Sequence, residues 1–196
     1  MKRLALALSV LVLSGCGADY TIKQLDARFS ESGNATDVAE GNRISKKSMA
    51  GGTHIDSTGL QINPVAEVGH DGRVASLYLA LVNITSLDTH MGAPNSIGTP
   101  RRIVFLIDGD LLAINLRGEM RYADVIHSNA QTRGASVGIQ ETGIGPISVA
   151  DFARIVNAET LVVRVEGSRR SHTYEDADID ASFRENLRKF AEQFAL

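Results

Sequence analysis

The chain has 196 residues, 43% of them hydrophobic and 22% charged, with one cysteine and no tryptophan; a lone thiol excludes an internal disulfide framework, and so few aromatics leave little for a stacking site. A formal charge of −3 speaks against a nucleic-acid partner, which is met by a net basic surface. A core of roughly 150 residues buries about two thirds of its unfolded surface, so one domain of this size holds without cross-links.

Met1-Lys2-Arg3 opens the chain, and a run from Leu4 to Leu13 broken only by Ser9 leads to Ser14-Gly15-Cys16. A basic start, an apolar stretch and small residues form the layout of a secretory signal peptide. As a helix this ten-residue run reaches about 15 Å, half of a hydrocarbon core of roughly 30 Å, so it does not span it. Leu13-Ser14-Gly15-Cys16 resembles the lipobox of bacterial lipoprotein precursors. The resemblance covers about sixteen residues and implies a diacylglyceryl group on Cys16, cleavage just before it, and acylation, such as with palmitate, of the new terminus. Several chains on one residue satisfy the need of a stable anchor for more than one hydrocarbon signal. Gly17 stands where an aspartate would retain such a protein in the inner membrane. The resemblance thus implies the inner leaflet of the outer membrane, facing the periplasm, with the membrane as a partner through the N-terminal lipid. Removing residues 1–15 from 196 leaves 181 and moves the formal charge to −5. No later segment approaches 18 uninterrupted apolar residues.

From residue 16 to 52 the sequence is polar, as in SESGNATDVAEGNRISKKSMAGG. It carries no sustained apolar period and is expected to be a flexible tether with an r.m.s. reach on the order of 30 Å. Tyr20, Ile22 and Leu25 mark one short strand within it. A single β-rich domain is expected over 53–196. THIDSTGLQINPVAEV places Ile55, Leu60, Ile62, Val65 and Val68 on a bulged or edge strand. After a turn at GHDG comes RVASLYLALVNIT; helix competes there, and its Val, Tyr, Ile and Thr content decides for strand. Residues 86–100, SLDTHMGAPNSIGTP, read as a long loop of the kind that carries function or closes over a site. RRIVFLIDGDLLAINL is a hairpin around Asp108-Gly109, a type I′ signature. EMRYADVIHS and ASVGIQE give further strands. Phe152, Ile155 and Val156 form a helical face near 149–158 with Ser148 as N-cap. TLVVRVEGSRRSHTYED is strand, turn and return strand. Phe183, Leu187, Phe190 and Phe194 mark a C-terminal helix near 181–195 with Asp180 as N-cap. Strands first and helices late make the fold α+β, a mainly antiparallel sheet or a β-sandwich with helices packed on it.

Cofactor motifs are absent. The five histidines, His54, His70, His90, His127 and His172, show no metal-ligand spacing. No G-x-S-x-G elbow accompanies them. Gly143 and Gly145 in GIQETGIGP do not match a phosphate loop and are expected to supply unusual backbone angles at a strand exit. EDADID lacks an EF-hand pattern and suits the approach to a helix N-terminus. Arg101, Arg102, Arg164, Arg169 and Arg170 form small basic patches on turns and strand ends, suited to an anionic partner. The residues support two readings. The first is a periplasm-facing envelope lipoprotein whose domain is a binding or assembly module for an envelope protein. The second is an envelope hydrolase with a composite His/Asp site under the 86–100 loop.

Overall fold

The structure is a computed structural model that describes residues 20–25, 34–45, 59–88, 93–129 and 134–196, with 86–88, 123–129 and 134–137 described by their backbone alone. Cys16 and its motif, His54 and His90 lie outside the described residues.

The fold is α+β: among the described residues, two antiparallel sheets and two α-helices surround one main core. In chain order the strands are β1 (Thr21–Leu25), β2 (Ala35–Glu40), β3 (Leu60–Val68), β4 (Val74–Asp88), β5 (Pro100–Ile107), β6 (Asp110–Asn115), β7 (Arg117–Asn129) and β8 (Gly134–Pro146). After them come α1 (Val149–Asn157), β9 (Leu161–Gly167), β10 (Ser171–Tyr174) and α2 (Ala181–Phe194). The larger sheet runs β1-β2-β3-β4-β8-β7 and the smaller β10-β9-β5-β6.

Of the span 16–52 expected to be a tether, residues 20–25 and 34–45 are described; the short strand expected at Tyr20 to Leu25 is β1, whereas β2 is a strand where flexible chain was expected. Thr21 to Leu25 pair with Glu40 to Thr36, and Ala35 to Val38 pair with Val68 to Val65. The segment is poor in apolar residues, but those it has are used: Val38, Ala39 and Ile44 are buried. Buried Asn42 fastens the chain just beyond β2, with its N–H on Asn63 Oδ1 at 2.9 Å and its amide on the Ile62 carbonyl at 3.0 Å. Strand pairing satisfies the backbone groups that a polar sequence would otherwise leave to water.

Period-two alternation in β4 turns Leu77, Leu79 and Leu81 into the main core. Val65 of β3 lies outside the main core. It joins Val38 and Ala80 in a smaller apolar cluster, so part of the larger sheet is buried on both faces. The Asp108-Gly109 turn has φ of 51° and 94°, the left-handed pair that a type I′ hairpin requires.

Gly143 and Gly145 differ from expectation: neither has a positive φ, and both lie within β8. Their use is close approach. A Cβ on Gly145 would stand 2.4 Å from the Asn115 carbonyl oxygen, and one on Gly118 would stand 2.0 Å from that of Pro100. The two sheets therefore meet backbone to backbone at this corner. Elsewhere the helices fill the core, α1 with Phe152, Ile155 and Val156, α2 with Phe183, Leu187 and Phe190. Ser148 caps α1 by accepting the Asp151 N–H at 3.0 Å. Asp180 occupies the N-cap position of α2 without a side-chain bond. Asn186 of α2 donates to Asn42 at 3.2 Å, and Arg184 donates to the Ala158 carbonyl at 3.0 Å, so α2 is tied to the segment after β2 and to the connection between α1 and β9.

Candidate functional site

The smaller sheet turns Ile103, Phe105 and Val163 inward, and the period of two sends their neighbours outward. On that outer face the strand register builds three rows. Leu106 stands between Leu111 of β6 and Val162 of β9; Val104 stands between Ala113 and Arg164; Arg102 stands between Asn115 and Glu166. Leu111 is 70% exposed and Leu106 40%. One end of the face is thus an uncovered apolar patch and the other is charged.

All five candidate arginines gather at or beside the charged end. Arg102 donates from Nε and Nη2 to Glu166 Oε2 at 3.0 and 2.7 Å. Arg164 Nε meets the other oxygen of Glu166 at 3.0 Å, and its Nη2 donates to Ser171 at 3.1 Å. One carboxylate between two guanidinium groups leaves a net positive charge. Pro100 pairs with Gly167 and Arg102 with Glu166, so Arg101 is the extra, bulged residue of β5. Arg169 and Arg170 lie in the turn after β9, where Arg170 donates to the Pro94 carbonyl. Arg101 and Arg169 are exposed, and among the described residues neither meets a carboxylate.

Glu141 of β8, which is fully buried, sets this turn in place. Its two oxygens accept from the Asn83 amide at 2.7 Å, the Ile97 N–H at 3.0 Å, the Gly98 N–H at 2.7 Å and the Ser96 hydroxyl. Asn83 also donates to the Asn95 carbonyl at 2.8 Å. A buried carboxylate is tolerable when its lone pairs are filled in this way. The pinned segment in turn holds the arginine turn: Ile97 O accepts the Arg169 N–H at 3.0 Å and Thr99 O accepts the Ser168 N–H at 2.9 Å. The long loop expected over 86–100 is therefore β4 as far as Asp88, and a strap at 93–99 clamped between the sheets.

The histidines are scattered among the described residues. His70 is exposed in the turn after β3, where neighbouring Asp71 accepts the Arg73 N–H at 3.0 Å. His127 lies on β7. His172 packs on the Tyr174 ring with centroids 4.6 Å apart, and burial lowers its pKa against an upward pull from Asp178. Asp176 of the acidic run accepts the Leu161 N–H at 2.8 Å and pairs with Arg184, a structural use. Among the described residues no group of three His, Cys, Asp or Glu side chains could hold a metal ion.

Sequence reasoning passed over Leu106, Leu111 and Glu141. A signal for the first two exists: IVFLIDGDLLAI is apolar on both strand faces, where a strand with one wet face alternates. Glu141, a lone acid among glycines and β-branched residues on a strand, carries a weaker one. Compared with known proteins, the chain matches no family model, no curated protein and no solved structure.

Proposed function

We propose that this chain is a bacterial envelope lipoprotein, anchored through Cys16 in the periplasmic leaflet of the outer membrane, and that it works as a binding module for an envelope protein. The docking surface is the outer face of β5, β6 and β9. The observation that carries the docking reading is the side-by-side exposure of Leu106 and Leu111, since contiguous exposed apolar patches mark interaction sites. The arginine end sets the partner's chemistry: an apolar strip continued by acidic side chains, with Arg101 and Arg169 available to meet them. The anchor reading is supported by the basic start, the apolar run and Leu13-Ser14-Gly15-Cys16.

A photo-crosslinking amino acid placed at Leu111 of the full chain, in envelope-intact cells, tests the docking surface. One discrete protein adduct is expected from that position and none from Glu192, an exposed site on α2. The adduct should be lost when Arg101→Glu and Arg169→Glu are combined. Equal labelling from both positions, or an adduct indifferent to the arginines, rejects this surface.

A further inference from the structure

We infer that the domain is held flush against the phospholipid headgroup layer, with the Tyr20 end of β1 as the membrane-proximal edge; this rests on the proposed anchor at Cys16. Its basis is chain length. Tyr20 and Ile22 pack against the main core, and β1 is paired along its length with β2. The packed and paired part of the chain therefore reaches to Tyr20, four positions beyond Cys16. Whatever conformation the intervening residues take, four Cα-to-Cα steps reach at most about 15 Å. A tether running to residue 52 would allow a reach on the order of 30 Å, and the pairing of β1 and β2 removes that slack.

The side chains at this edge suit hydrated headgroups and not hydrocarbon. Thr21, Lys23 and Gln24 are exposed, and the Lys23 ammonium is held by Glu40 at 2.5 Å. The edge thus abuts the interface without inserting. Partner docking falls to the outer face of the smaller sheet, which belongs to the other layer.

The test uses the full lipidated chain in vesicles of phosphatidylethanolamine and phosphatidylglycerol, with an acceptor dye on a fraction of the headgroups. A donor dye is attached through Thr21→Cys, and independently through Gln24→Cys, Cys16 being taken up by the lipid. Each is compared with a version carrying a twenty-residue Gly/Ser insertion between Ala18 and Asp19, which adds an r.m.s. reach of about 25 Å. Flotation is read in parallel, with Cys16→Ser as its control. Flotation with strong energy transfer at native spacing, falling by about half or more on insertion, is the expected result. Flotation with transfer that is weak at native spacing, or unchanged by the insertion, overturns the flush placement and leaves the anchor standing. Failure to float, or flotation of Cys16→Ser, overturns the anchor and the placement together.

Discussion

Two buried carboxylates show how an acidic side chain is carried inside this domain. Glu141 is surrounded by donors, and they come from a strand neighbour and from the strap at 93–99. Glu141→Ala leaves those donors facing an empty site, and each buried unsatisfied group costs about 1–3 kcal/mol. A loss of about 3 kcal/mol or more is expected in urea unfolding; a midpoint within error of the parent would mean that the strap is held by its other contacts. Asp37 is also buried, and there desolvation raises its pKa against a hydrogen bond from Gln24 that lowers it. A raised folded pKa means that the native state keeps its proton longer than the unfolded chain. This group's ionisation therefore costs stability above the raised value, and the cost vanishes below the ordinary aspartate range. Asp37→Asn is expected to raise the melting temperature at neutral pH, with the gain shrinking as the pH falls towards 4. A gain that grew on acidification would contradict the assignment. Neither role was legible from residue type alone, because a carboxylate's burial is decided by what the chain folds over it.

At the level of elements, local signals read well where they are self-contained. Asp108-Gly109 makes its hairpin because both residues tolerate positive φ. Ser148 starts α1 through its own hydroxyl. The spacing of Phe183, Leu187 and Phe190 marks α2 without reference to what it packs on, and all three are buried. Phe190 meets Phe152 edge-on with centroids 6.0 Å apart and Phe194 at 4.7 Å, so it couples the two helices. Phe190→Ala is expected to cost about 3–5 kcal/mol, and a thermal melt unchanged from the parent would show that α2 does not dock through this ring. Reading failed where an element depends on another for its reason to exist. β2 has few apolar residues and became a strand because β1 and β3 flank it. Gly145, expected to supply an unusual backbone angle at a strand exit, instead leaves room for the Asn115 carbonyl oxygen.

For the whole molecule, the joining of β1 and β2 to the larger sheet changes how the proposed anchor acts, since Tyr20, packed on the core, is only four positions from Cys16. The same closure leaves the outer face of β5, β6 and β9 exposed while α1 and α2 are spent on the core. The α+β class, the hairpin and both helices were determined by the sequence itself, because turn geometry, capping and side-chain period are properties of neighbours along the chain. The order of strands, the burial of Glu141, the gathering of five arginines at one end of a sheet and the exposure of Leu106 and Leu111 were decided only in the tertiary structure. Each depends on which distant segments meet, and hydrophobic burial, having no direction of its own, does not write that choice into any local stretch of residues.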